Sequence, residues 1–139
     1  HLGVTTSHGR RHEELEEILR TRRLDFVQLT YNALDRAAER RLLPLARDRG
    51  VAVIVNRPYR RGALIDRVRH APLPGWAAEI GAQSWAQALL KFILAHPAVT
   101  VAIPATRQVS HLRENKAAAR GALPDAALRA RIARDVDRL

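Results

Sequence analysis

At 139 residues the chain has room for one compact domain or part of a larger one, and with 47% hydrophobic residues it can build a core, so a disordered or low-complexity class is excluded. The lack of cysteine excludes a disulfide framework, a thiolate nucleophile and a Cys-ligated zinc site, and it leaves the redox compartment open. The net charge of +10 suits a phosphate ligand, a nucleic acid or an anionic surface. Apart from Lys91 and Lys116, however, the basic residues are arginines spread along the whole chain and interleaved with acids in Arg11–Glu17 and Arg129–Arg138. Only two Phe and two Tyr are present to stack on bases, so nucleic acid is set aside as a partner. A membrane is set aside too, because no apolar run approaches the length of a span. The chain starts at His1 with no initiator methionine and no signal-peptide pattern, and it reads as a piece of a longer protein or a trimmed product.

The first unit is a short strand over Leu2–Thr5, a turn at Thr6-Ser7-His8-Gly9, and a helix over about Arg11–Thr21. Leu15, Ile18 and Leu19 form that helix's apolar face, with Glu13, Glu14, Glu16 and Glu17 expected outside. The second unit is a strand over Asp25–Thr30 carrying Gln28 in an apolar run, a loop Tyr31–Asp35, and a helix to Arg49 stopped by Gly50. Pro44 predicts either a kink there or a helix that begins near Leu42. The third strand, Val51–Val55, is continuously apolar, which predicts burial on both faces. A long connection over 56–83 follows, with helical turns expected near Leu64–Arg69 and Trp76–Ile80. Ser84 then caps a helix to about Ala95.

The fourth unit is a β-branched strand over Val99–Ile103, a proline-containing polar loop, and a helix over about Val109–Ala119 ended by Gly121. A strand feeding a helix through a tight loop offers free N–H groups and the positive end of a dipole to a phosphate, with Arg107, His111 and Arg113 nearby. The same pattern also fits an ordinary scaffold unit whose arginines are solvated. A last helix runs over about Pro124–Arg138.

Four alternations of strand and helix imply right-handed crossovers and a parallel α/β sheet, either small and open or half of an eight-stranded barrel. In both cases function belongs at the carboxyl ends of the strands. Those ends carry Thr5, Thr6 and Ser7; Gln28, Tyr31 and Asn32; Asn56, Arg57, Tyr59 and Arg61; and Thr106, Arg107 and Gln108. Such a rim can hydrogen-bond a polar ligand and neutralise a phosphate. Gln28 has two readings, a ligand contact or an amide that satisfies the core. No cysteine, lysine or pair of carboxylates lies at the strand ends to act as a catalyst, and Asp35, a little past the second strand, reads as a helix cap. His8 and His12 are spaced for one helix face, but Glu13 is not placed as in the zincins, and no metal site is assigned.

Four stretches together resemble the C-terminal half of the aldo/keto reductases, which are (β/α)8 barrels using NADPH or NADH. Leu2-Gly-Val-Thr-Thr is similar to the family's fifth strand, and Val27-Gln-Leu-Thr-Tyr-Asn-Ala-Leu-Asp to its sixth. Arg57-Pro-Tyr-Arg-Arg-Gly-Ala-Leu resembles the segment after the seventh strand, and Ala102-Ile-Pro-Ala-Thr-Arg with Arg113-Glu-Asn the eighth-strand unit. The resemblance implies a half-barrel over 1–139 with NADP or NAD as cofactor. It implies that Thr5, Thr6 and Gln28 hold the nicotinamide carboxamide. Asn56 falls where an aromatic stacks on the nicotinamide. Arg57, Tyr59 and Arg61 fall in the pyrophosphate loop, Thr106 and His111 near the adenosine ribose phosphate, and Glu114 and Asn115 near adenine; Arg107 joins this set from the rim. Ala105 and His111 stand where members carry lysine and arginine, which leaves NADP against NAD open. The family's catalytic Asp, Tyr, Lys and His belong to the first four units, so no catalytic residue is assigned. The implied partner is the missing half or a second copy of the chain. A non-catalytic half-barrel that binds a nucleotide or a partner, or a basic nucleic-acid module, remains the rival reading.

Overall fold

A computed structural model of the chain describes residues 1–6 and 9–139. The expectations for Ser7 and for a His8–His12 pair lie outside the described residues. The order is β1 (Gly3–Thr5), α1 (His12–Thr21), β2 (Phe26–Thr30), a 3-10 turn, α2 (Leu42–Asp48), β3 (Ala52–Asn56), a second 3-10 turn, α3 (Ala63–Val68), α4 (Trp76–Glu79), α5 (Trp85–Leu94), β4 (Val101–Ala102), α6 (Val109–Ala117) and α7 (Ala126–Arg138). The four strands form one parallel sheet in chain order, with Thr5 opposite Gln28, Thr30 opposite Asn56, and Ile54 opposite Val101. These are the four βα units of a half-barrel.

Side chains alternate across each strand. Val27, Leu29, Val53 and Val55 point outward and are fully buried beneath the helices, against Leu19, Leu43, Leu89 and Ile93. Phe26, Gln28, Ala52 and Ile54 point to the other face and are only half-buried. The expectation that the third strand is buried on both faces is therefore corrected: its apolar run is covered on the helix side alone. On β4 and just after it, Val101 and Ile103 are 41% and 45% exposed, and Leu2 beside β1 is 62% exposed. At the β1–β2 pairing, a Cβ on Gly3 would lie 2.2 Å from the Phe26 ring and 2.7 Å from its backbone oxygen, so only glycine fits.

Pro44 falls in the first turn of α2, where its missing N–H is an orphan in any case, and the helix begins at Leu42. Ser84 and Asp125 cap α5 and α7, accepting from Gln87 N and Leu128 N. The Val99–Ile103 expectation shortens to two strand residues. Glu16, expected outside, is instead 5% exposed. Its Oε1 accepts from Arg20 and from Arg41 Nη2, each at 2.7 Å, because α2 packs on α1 and brings Arg41 over it. Arg20, opposed by desolvation and joined by Arg41, holds the carboxyl below its ordinary value.

The helix α7 closes the outer layer through polar staples. Arg129 contacts Glu39 Oε1 at 2.6 Å and the Tyr31 hydroxyl, donates to Phe92 O, and lies 4.9 Å over the Phe92 ring. Arg36 forks onto Asp137, and Arg67 donates to the last carbonyls of α7, Val136 O and Asp137 O. Lys91, 1% exposed on α5, donates to Arg120 O at 2.5 Å and Ala122 O at 2.9 Å, tying down the α6–α7 link.

Lys91→Met leaves those two carbonyls without their donor and lowers stability by about 1–3 kcal/mol in denaturant unfolding. A carboxyl whose folded value is depressed stabilises the fold above its unfolded value, and this contribution disappears as pH falls through the folded value. Glu16 and Asp137 are both depressed. Stability therefore falls as pH drops below 4.5, and Glu16→Gln flattens that acid limb in thermal melts.

Candidate functional site

The carboxyl ends of the strands are joined by side-chain amides. On the inner face Gln28 Nε2 donates to Thr5 Oγ1 at 3.0 Å, across the register that sets them opposite. One layer further, Asn56 Oδ1 accepts from Thr30 Oγ1 at 2.7 Å, and its Nδ2 donates to Thr6 O at 2.8 Å. A single carboxamide has a donor and an acceptor, so it can link three strand ends at once. Asn56 is only 7% exposed. It sits where the resemblance put a stacking ring, and its side chain is committed to the sheet. Thr6 Oγ1 is buried without a hydrogen-bond partner among the described residues.

Tyr31 leaves the expected rim. It is the next outward position after Leu29, so it is fully buried on the helix side, 5.9 Å from Phe92 and 5.6 Å from His96 between ring centroids. Burial, then its bond to Glu39, pushes the phenol well above its ordinary value. Asn32 also leaves the rim: its side chain is wholly buried and organises the loop. Its Oδ1 accepts from Leu34 N and Asp35 N, and its Nδ2 donates to Arg57 O at 3.1 Å and Asp35 Oδ2 at 3.0 Å.

The loop after β3 is strained. Arg57, Arg60 and Arg61 have φ of 50°, 48° and 59°, and Gly62 has 99°. The left-handed conformation costs an L-residue about 1–2 kcal/mol, and such residues gather at ligand clamps and switches. Arg60 Nε reaches Asp35 Oδ2 at 3.0 Å. Tyr59 turns the other way, donating to Asn115 Oδ1 at 2.9 Å and lying 3.2 Å from Ala86 O. Burial and the Glu114 charge raise its phenol above the ordinary value.

Tyr59 and Asn115 stand at the wall of a cleft of about 470 Å³ between the long connection, α5 and α6. Its apolar side holds Ile65, Leu73 and Trp85; its polar side holds Ser84, His111, Glu114 and Asn115. Trp85 is braced edge-on by Trp76 and donates to Ala71 O, and Ser84 donates to Glu114. Thr106 borders the same cleft and bonds Gln108 N ahead of α6. Arg107 and Arg61 are exposed on its outskirts. The expected residues thus fall into two groups, an inner strand-end group (Thr5, Thr6, Gln28, Asn56) and a cleft group (Tyr59, Thr106, His111, Glu114, Asn115). The arginine loop starts at the end of β3 and runs past Tyr59. Asp35, Arg60, Ser84 and Trp85 were not expected beside these groups; the sequence offered Asp35 and Ser84 only as helix caps and Arg60 only as part of the Arg57–Leu64 stretch.

A hydrogen-bond partner lost from the strand ends is costly. Asn56→Leu strips Thr30 and Thr6 O of their links and lowers stability by about 2 kcal/mol in urea unfolding, whereas the exposed Arg107→Ala changes it by less than about 0.5 kcal/mol.

The chain as a whole is similar to known proteins. The sequence model of the aldo/keto reductase family matches residues 1–130. The NADH-specific methylglyoxal reductase of Escherichia coli (strain K12) is 40% identical over 65 residues, 47% of this chain and 20% of that protein. A thermostable aldo-keto reductase solved with the inhibitor epalrestat superposes with a TM-score of 0.67 at 26% identity, over 98% of this chain and 47% of that one. An aldo-keto reductase from Bacillus halodurans in its apo form has a TM-score of 0.70 at 20% identity, over 95% of this chain and 49% of that one, which speaks for the fold. The chain spans about half the length of these solved reductases and a fifth of the curated relative's length is matched.

Proposed function

The chain belongs to the aldo/keto reductase family of oxidoreductases, and we propose that it is the nicotinamide-cofactor-binding half of such a reductase. The observation that carries this reading is the polar track along the carboxyl ends of the strands. It runs from Thr5 and Gln28 through the arginine loop to the Tyr59–Asn115 cleft.

The residues fit a nicotinamide dinucleotide, NADP or NAD. Gln28 spends one amide hydrogen on Thr5 and keeps its oxygen and a second hydrogen, the complement of a carboxamide. Thr6 adds a buried hydroxyl with no partner among the described residues. Arg57 and Arg61 supply positive charge for a pyrophosphate, and the cleft offers the flat Trp85 side with Glu114 and Asn115 as polar partners for an aromatic base. Asn56 contributes no ring face. In this reading it holds Thr6 and the strand ends in place. When bound, such a cofactor supplies the hydride for reducing a carbonyl. This chain's part is to bind and orient it; proton donation to the substrate belongs to residues of the other barrel half.

The half-covered inner face and the exposed Val101, Ile103 and Leu2 support a partner for this sheet, the first four βα units or a second copy of the chain.

NADH and NADPH titrations of the full-length polypeptide, followed by reduced-nicotinamide fluorescence, test the reading. Saturable binding is expected, with Gln28→Ala weakening it about tenfold, the loss of one good hydrogen bond to the ligand. Absence of saturable binding of either nucleotide overturns it.

A further inference from the structure

The amino ends of the strands lie opposite the proposed cofactor track and carry their own concentration of charge. A cavity of about 420 Å³ opens there, lined by Arg22, Arg23, Leu24, Asp25, Arg49 and Val51. Its residues belong to two links, one from α1 into β2 and one from α2 into β3. Sheet pairing holds the links side by side, with Ala52 N donating to Asp25 O at 3.0 Å and Phe26 opposite Ala52. Each link is also tied to its own helix: Arg22 N donates to Ile18 O at 2.9 Å, and Val51 N to Ala46 O at 2.8 Å. The backbone is thus fixed, while the three arginines remain exposed.

Their charge is not neutralised from within. Elsewhere around α1 and α2 the arginines have carboxylates, since Arg20 and Arg41 share Glu16 and Arg47 has Asp48. Among the described residues Arg22, Arg23 and Arg49 form no ion pair. The one carboxylate in the wall, Asp25, is turned to the start of β1: its Oδ2 accepts from Leu2 N at 2.6 Å, and its Oδ1 lies 3.5 Å from His1 Nδ1. The negative ends of the α1 and α2 dipoles also meet here, and Arg49 Nη2 reaches Arg22 O at 3.4 Å. That contact engages one guanidinium of the three. Like charges gathered round one cavity repel, and an anion between them relieves the repulsion. A planar guanidinium matches phosphate oxygens two at a time, and the Leu24 and Val51 side chains add no competing acceptor. The volume falls in the range of small-ligand sites and leaves room for the organic group that carries the phosphate.

We propose that this cavity binds the phosphate of a small phosphorylated molecule between Arg22, Arg23 and Arg49. Five strand residues, about 16 Å of chain, separate it from the cofactor track, so the site does not depend on the cofactor reading.

The test is calorimetric titration of the full-length polypeptide with pyrophosphate, in a background carrying Arg57→Ala and Arg61→Ala so that the loop after β3 offers no second anion site. One saturable site is expected. Arg22→Gln and Arg49→Gln are each expected to weaken it about tenfold, the loss of one charge-assisted hydrogen bond. Arg49→Lys is expected to fall between, because it keeps the charge and loses the fork. Arg131→Gln, exposed on α7, is expected to change nothing. Thermal melts give a second readout: pyrophosphate is expected to raise the melting temperature of the background and not that of the Arg22→Gln/Arg49→Gln variant in it. Without ligand the two are expected to melt together, since exposed substitutions change stability little. Absence of saturable binding, undiminished binding in the double variant, or an equal loss on Arg131→Gln, the mark of a general attraction to a basic chain, overturns the site. Binding that appears in the unsubstituted chain and vanishes with Arg57→Ala and Arg61→Ala belongs to the loop after β3 and overturns it as well.

Discussion

Parallel strands need crossovers, and with the strands in chain order the crossovers all pack on one face of the sheet. Here the outer face is complete, with Val27, Leu29, Val53 and Val55 fully buried under the helices. The inner face carries Phe26, Gln28, Ala52 and Ile54 half-covered, then a polar layer at the carboxyl ends. The inside-outside alternation decides which side each residue serves. It sends Tyr31 out into the helical layer and keeps Gln28, Thr30 and Asn56 facing in. The residues of the proposed site are therefore inner-face residues and loop residues, and the outer layer is the scaffold beneath them.

The ends of the strands are tied by amides and the outer layer is tied by arginines, for different physical reasons. Asn56 and Asn32 each join backbone groups to a neighbouring hydroxyl or carboxylate, where a short neutral group with both donor and acceptor can satisfy several neighbours without carrying a buried charge. Arg36, Arg41, Arg67 and Arg129 reach between helices, where a long stem with a forked head can lie along apolar surface and still end on a carboxylate or a helix terminus. These four arginines thus hold helices together. The loop 57–62 differs in its backbone, where three arginines in six residues take the left-handed conformation.

Element order, parallel pairing and the cap at Ser84 were legible along the chain, and the start of α2 at Leu42 was one of the two readings of Pro44. Each rests on neighbours within a few residues: apolar spacing, a capping side chain, or a proline's missing donor. The assignment to the aldo/keto reductases was legible as well, because four strand-end stretches kept their order and spacing. What the pattern misjudged were matters of long-range contact. Glu16 was placed outside because its helix looks amphipathic alone, yet Arg41 arrives from another helix and buries it. The apolar run of β3 looked buried twice over, yet half its side chains face the partly open side of the sheet. Asp35 looked like a helix cap, and only the folded chain brings Arg60 to it from across the loop. A local code sets which elements form, since their hydrogen bonds close within one turn or one pairing. It says nothing of which distant side chain completes a carboxylate or strains an arginine, because those partners meet only when the sheet has assembled.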